Sequence, residues 1–318
     1  MKLKTLPTFG RYLKAKFGAK VAKIPVGLSG FTCPNIDGTV AKGGCTFCLN
    51  ESFSPNLAKD AKITLNLKSI KNPLLEQQLK ELDLQIRTTQ KMMKAQGVKK
   101  FLVYFQSFTN TYAPFETLKT LYDKALSYPD VIGLSIGTRS DSVTDEVLDY
   151  LAILSQTKEI WIEFGVQSVF DKTLEKINRG HDAANAKEAI LKAKAKDLNV
   201  CAHLIFGLPG ESQEMMLTTA REVYSWRVDA VKYHPLYVVK NTLLANQYKA
   251  GEFMPITKEE YAAVLIEAIE IKPPHILIQR MTAGISDDTL LAPAWCGWSK
   301  NAMVAYINKA LRQAGWKI

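Results

Sequence analysis

"FTCPNIDGTVAKGGCTFC", Phe31 to Cys48, holds three of the chain's five cysteines in the pattern C-x11-C-x2-C. An x2 spacing folds into a tight turn, so Cys45 and Cys48 can face one metal centre. Gly43 and Gly44 let the backbone approach closely and offer N–H groups to sulfur or an anion. Cys33 stands at the end of the first strand-like segment, so the loop must return to it. Thiolates at this spacing suit zinc or an iron–sulfur cluster. A structural zinc site wants a fourth ligand, drawn from Cys201, Cys296 or one of four histidines. Cys201 lies in a strand-like run and reads as a core thiol. Cys296, between Trp295 and Gly297, is open to either role. A cluster with one iron left open needs no fourth residue.

Five cysteines in 318 residues are too few, and too odd a number, for a disulfide framework. Their clustering points to metal in a reducing compartment, and the cytoplasm is the expected location. No apolar run approaches the ~18 residues that span a bilayer, so no membrane partner is expected. The first twenty residues lack a hydrophobic signal core, and one arginine with no serine suits a transit peptide poorly. The net charge of +10 is unevenly spread. Lys2, Lys4, Arg11, Lys14, Lys16, Lys20 and Lys23 precede the first acid, Asp37, and Phe9, Tyr12 and Phe17 interleave with them. Cations alternating with aromatics can grip phosphates and stack on bases. A solvated, partly mobile arm is the plainer reading of residues 1–23.

Strand-like and helix-like stretches alternate after the arm. "FLVYFQS" (101–107), "VIGLSIGT" (131–138), "IWIEFGVQ" (160–167) and "VCAHLIFG" (200–207) are short apolar runs. Helical patterns fall near 73–96, 115–127, 143–155, 170–178, 184–197 and 212–225. Continuously apolar strands separated by helices imply parallel pairing with both faces buried. From about 24 to 237 the pattern gives six βα units, short of a complete eight-unit barrel. The expected fold is α/β, with a doubly wound sheet as the alternative on pattern alone. In both, the C-terminal strand ends line the site. Beyond residue 242 the pattern loosens. A helix near 257–271, a strand in "PPHILIQRM" and a helix near 299–314 read as an extension, 243–318, packed on the main domain 24–242.

"GGCTFC" after a first strand resembles the radical S-adenosylmethionine (SAM) enzymes. Their three cysteines hold a 4Fe–4S cluster whose open iron binds the amino and carboxylate groups of SAM. The resemblance makes Cys33, Cys45 and Cys48 the metal ligands and implies a partial (β/α)6 TIM-like barrel. The usual first spacing is three residues; the eleven found here narrow the branch. The resemblance places Phe47, between the last two cysteines, near the adenine. It also makes Gln106, Ser107, Thr138, Arg139, Glu163, Ile205 and Gly207, all read as strand-end residues, SAM contacts.

"EFGVQSVFDKTLEKINRGH" (163–181) is similar to a stretch of the elongator catalytic subunit, which carries E-x-G-V-Q-S and then N-R-G-H. On this resemblance Glu163, Gln167, Arg179 and His181 are candidate catalytic residues. The local alternative for Asn178, Arg179 and His181 is capping of a helix end against its dipole. The elongator family modifies carbon 5 of the wobble uridine in tRNA, and its long form adds an acetyltransferase domain. This chain has no room for one, so it looks closer to the stand-alone YhcC/YtqA-like group. The resemblance then implies that the reduced cluster gives one electron to SAM. The 5′-deoxyadenosyl radical so released takes a hydrogen from the substrate. It also implies tRNA as partner and an electron donor such as flavodoxin or ferredoxin. Two alternatives remain: a radical SAM enzyme acting on a small molecule, and a non-catalytic zinc-bearing RNA-binding module.

Overall fold

Within each apolar run, alternate side chains face opposite sides of a strand, and that alternation sorts this molecule into layers. A computed structural model describes residues 4–49, 63–285 and 287–318. Its strands, in chain order, are β1 (Lys4–Thr5), β2 (Val21–Val26), β3 (Lys100–Phe105), β4 (Val131–Thr138), β5 (Glu159–Gln167) and β6 (Asn199–Phe206). They continue with β7 (Ala230–Pro235), β8 (Val238–Val239), β9 (Leu277–Arg280), β10 (Leu290–Ala292) and β11 (Trp316–Lys317). Seven of them form one sheet in the order β2-β3-β4-β5-β6-β7-β9, and every pairing in it is parallel. This sequential order is that of a curled half-barrel, and it sets aside the doubly wound alternative, whose strand order reverses.

Six of these strands are the expected units. The seventh, β9, comes from the segment read as an extension and pairs with β7. Helices Leu75–Lys94, Phe115–Leu126, Asp145–Ser155, Ala183–Ala195 and Gln213–Ser225 follow successive strands. They cover the outer face, where Ile24, Val103, Phe105, Leu134, Ile162, Phe164, Val200 and Phe206 form the main core.

The inner face is not continuously apolar. Leu102, Trp161, Cys201 and Ala230 make its lowest layer. Two residues further along the strands come Tyr104, Glu163, His203 and Lys232, and two further again Gln106, Gly165, Ile205 and His234. The polar middle layer corrects the sequence reading of strands apolar on both sides.

The basic arm is likewise not a free arm. Lys2 lies outside the described residues, but β1 pairs with β11, and Phe9–Phe17 is a helix. Thr8 accepts from Arg11 N at its start, and Gly18 ends it at φ 66°. Phe9 meets Trp161 edge-on, with ring centroids 4.9 Å apart, and Tyr12 lies 6.1 Å from the same ring. Lys16 donates to Glu159 at 2.7 Å, and Glu159 also accepts from the Trp161 indole at 2.7 Å. The helix therefore plugs the bottom of the barrel. Pro7 O takes the Ile278 amide of β9 at 2.9 Å, which covers a sheet edge that would otherwise stay unpaired. Phe9 is buried against Trp161 and so is not free to stack on a base, while Tyr12 is half-buried beside the same ring.

Phe9→Ala should therefore cost stability as a core truncation does, about 3–5 kcal/mol. A denaturant midpoint unchanged from wild type would return the arm to the solvent.

Candidate active site

The eleven residues between Cys33 and Cys45 fold back on themselves. Pro34 O accepts from Val40 N at 2.9 Å, and Asn35 O accepts from Gly44 N at 2.8 Å. Asp37 and Lys42 form an antiparallel bridge. Gly38, Gly43 and Gly44 all have positive φ, which lets so short a lobe turn three times. The long spacing thus returns Cys45 to the neighbourhood of Cys33. Thr109 N donates to Thr32 O at 3.2 Å and Tyr112 Oη to Thr39 at 2.8 Å, fastening the loop to the segment after β3.

A second clasp comes from 178–181. The Asn178 side-chain amide donates to Gly44 O at 2.7 Å and Lys42 O at 3.2 Å. Asn35 returns the contact, donating to Asn178 O at 2.6 Å and Arg179 O at 2.9 Å. Arg179 Nη1 lies 3.7 Å from Cys45 Sγ, and its Nη2 donates to Gly165 O at 2.6 Å. A Cβ on Gly165 would sit 2.9 Å from that guanidinium, and one on Gly180 2.3 Å from Asn35 Oδ1. Both glycines are needed for close approach. The N-R-G stretch thus does more than cap the helix Asp171–Lys176: it holds the cysteine loop from below.

Cys45 is buried, and Cys33 and Cys48 are partly so. Burial, then the Cys45 and Cys33 thiols, push the Cys48 thiol up, while Arg179 and Arg139 pull it down. The three sulfurs and two guanidinium groups therefore share one neighbourhood. Among the described residues no three His, Cys, Asp or Glu side chains are drawn together tightly enough to hold a metal ion. A cuboidal cluster takes one thiolate per iron and so wants its sulfurs at separate corners. Arg139 Nη1 and Arg179 Nε are buried in the same place without partners among the described residues. This donor set fits an anionic cluster and its ligand.

The other sequence candidates separate into two groups. Phe47 and Ile205 pack against one apolar cluster with Leu174, Ile177 and Leu208, beside the cysteine loop. Gln106 and Ser107 follow β3 directly, and Gln106 N donates to Val26 O at 3.3 Å. The Thr138 hydroxyl is 2.6 Å from that of Thr111, and Arg139 forks onto Asp141 at 2.9 and 2.5 Å. Gly207, at φ 90°, leaves room for Ile256. Gln167, at φ 70°, follows a bulge in β5. His181 Nε2 lies 3.3 Å from Ser140 Oγ. Burial and then the Arg179 charge push its pKa down to about 3, so it is neutral.

Glu163 is elsewhere. The reading that put it at the tip of its strand is corrected: β5 runs on to Gln167, and Glu163 sits at mid-strand, fully buried. Lys23 donates to its Oε1 at 2.6 Å, as does Ser135, and Oε2 accepts from Lys232 and, at 2.8 Å, from His203. Lys23 also donates to Gln279 of β9 at 2.7 Å, joining the two edge strands across the barrel. Burial raises the Glu163 carboxyl, but the Lys23 and Lys232 charges outweigh it and hold it well below the usual range. Tyr104, Ser135, His203 and Lys232 were missed as site residues. Their signal was a polar residue at every second inward position of an apolar strand.

A half-barrel of parallel strands carrying a three-cysteine loop above its C-terminal end is the architecture of radical SAM enzymes. The Radical SAM superfamily model matches residues 38–223 and the Radical_SAM C-terminal domain matches 228–313. The chain belongs to that superfamily, whose members bind a 4Fe–4S cluster and SAM. It is 38% identical over 310 residues to Protein YhcC of Escherichia coli, covering 96% of this chain and 93% of that one. It is 35% identical over 311 residues to YtqA of Bacillus subtilis, covering 97% and 90%. A tRNA uridine(34) acetyltransferase of Methanocaldococcus infernus is 31% identical over 157 residues, 48% of this chain and 29% of that protein. The fold is also that of the archaeal Elp3 of the same organism, with TM-score 0.59 and 20% identity over 93% of this chain and 64% of the other. Family membership replaces the alternative of a zinc-bearing RNA-binding module.

The inner layer predicts a pH response. Burial, and then the Lys232 charge, lower the His203 pKa to about 4, below the ~6.5 of an unfolded histidine. As pH falls through that window the unfolded chain takes up the proton first, so acidification destabilises the fold. Between pH 7 and 4 His203 should contribute a loss of roughly 2–3 kcal/mol. Urea titrations of His203→Gln, which keeps a donor for Glu163, should show a shallower fall; a fall as steep as wild type's would place the response elsewhere.

Proposed function

We propose that this protein is a radical SAM enzyme that remodels or cleaves a side chain on carbon 5 of a wobble uridine in tRNA. The observation that carries the reading is the stretch 163–181. It resembles the elongator subunit in sequence, and here its Asn178 and Arg179 brace the cysteine loop. A relative that matches 48% of the chain bears a name tied to uridine 34 of tRNA. Its acetyltransferase activity is not carried over.

Cys33, Cys45 and Cys48 would hold the 4Fe–4S cluster, which when loaded supplies one electron to SAM and so the radical that abstracts hydrogen. The chain's own groups position and shield. Arg179 and Asn35 point N–H groups at the Cys45 sulfur, at 3.7 and 3.6 Å, and would hold it in place as a cluster ligand. Phe47 and Ile205 offer an apolar wall suited to the adenine, while Gln106 and Ser107 stand where the amino group of SAM would lie. Gln167 and His181 face the same end of the barrel, with His181 held neutral by its burial and by Arg179. Glu163 acts from below, fixing the strands rather than touching SAM. An electron donor such as flavodoxin or ferredoxin is part of the same reading.

Anaerobically reconstituted protein should release 5′-deoxyadenosine from SAM, and Cys33→Ala, Cys45→Ala or Cys48→Ala should abolish it. Mass spectrometry of tRNA nucleosides should show a changed wobble uridine in cells lacking the protein. Identical profiles, with SAM turnover intact, would move the substrate to a small molecule.

With the arm's rings turned inward, its exposed lysines are what can touch phosphates. Lys14 and Lys20 are exposed. Lys14→Gln with Lys20→Gln should make the log–log salt slope of tRNA binding shallower by about 1–2. An unchanged slope would remove the arm from the tRNA contact.

A further inference from the structure

The middle layer of the barrel does not balance its charges. Lys23 and Lys232 are cations there, Arg280 reaches its edge from an exposed position on β9, and among the described residues Glu163 is the one carboxylate paired with them. Both Glu163 oxygens are taken, Oε1 by Lys23 and Ser135 and Oε2 by His203 and Lys232. Nothing of Glu163 is left for Arg280, whose strand neighbour across the β7–β9 pairing is another cation, Lys232. Among the described residues Arg280 forms no ion pair. Two more nitrogens stand on the paired strands β7 and β9: among the described residues His234 Nε2 and Gln279 Nε2 are buried with no partner. His234 stacks on His203 with ring centroids 5.9 Å apart, and the Arg280 charge reaches both rings. Each unpaired buried polar group costs free energy, and a net positive interior costs more.

We propose that this place is a seat for an oxyanion of the substrate, a carboxylate or a phosphate group, gripped by the Arg280 guanidinium and the unpartnered nitrogens of His234 and Gln279. The inference rests on the radical SAM reading of the loop above it. His234 lies two residues beyond Lys232 on β7, toward the strand ends under the cysteine loop, so the seat lies between the barrel floor and that loop. A substrate anchored here by its anion would present its neighbouring carbon toward the loop. Arg280 is itself exposed, so an anion can reach it from solvent.

The test is NMR of the holoprotein, its cluster oxidised and its histidine rings labelled with carbon-13. Sodium acetate and sodium phosphate are titrated against chloride at constant ionic strength. The His203 and His234 signals should move saturably with at least one probe. Arg280→Gln should weaken that probe about tenfold or more, and Arg280→Lys, which keeps the charge but loses the fork, should fall between. Acetate binding tighter than phosphate marks a substrate carboxylate; the reverse marks a phosphate. SAM binding, followed by equilibrium dialysis, should not change in Arg280→Gln. No saturable movement with either probe overturns the proposal, and so does loss of SAM in the variant, which would assign the guanidinium to the cofactor. Anion binding with an unaltered tRNA profile would keep this seat and remove the tRNA reading. An altered profile without anion binding would do the reverse.

Discussion

A single buried carboxylate ties its own strand of the barrel to four others. Glu163 on β5 takes hydrogen bonds from β2, β4, β6 and β7, and through Lys23 it reaches β9. The backbone ladder alone would permit a flatter sheet, because parallel pairing fixes neighbours and says nothing of strands three or six positions apart. The Lys23 ammonium, bonded to both Glu163 and Gln279, ties the two edges to the same point and fixes the curl. The curl in turn brings the strand ends round the loop that carries the cysteines. The layers on either side follow from it: Trp161 and Phe9 seal the floor, and Gly165 and Ile205 form the upper rim.

The order of strands and helices was legible in the sequence, since periodic apolar runs separated by capped helices can be read locally. The helix expected at 184–197 spans Ala183–Ala195, and the strand expected at 131–138 is Val131–Thr138. What local reading missed was direction. "IWIEFGVQ" shows an acid near the end of an apolar run, and a strand end is where an acid is least costly. Two lysines and a histidine from distant segments reverse that preference, and they sit at mid-strand in runs that otherwise read as core. The arm misled for the same reason. Its cations and aromatics are a nucleic-acid pattern taken alone, but the pattern cannot show that Trp161 and Glu159 wait at the barrel floor for Phe9, Tyr12 and Lys16.

The candidate site was legible in its chemistry and not in its support. Three cysteines and "NRGH" stand out as words, and their resemblance to a family gives them meaning. That Asn178 grips the carbonyls of Lys42 and Gly44, or that Gly180 makes way for Asn35, depends on two loops meeting in space. The long insertion between Cys33 and Cys45 gains its reason only there: it builds a lobe large enough to be gripped.

That grip sets an order of events in the life of the chain. Asn35 finds its partners 143 and 144 positions further on, so the cysteine lobe emerges from synthesis long before the residues that brace it. Contacts so distant in sequence form late. The lobe therefore has none of these braces until β5 and the turn after it are in place.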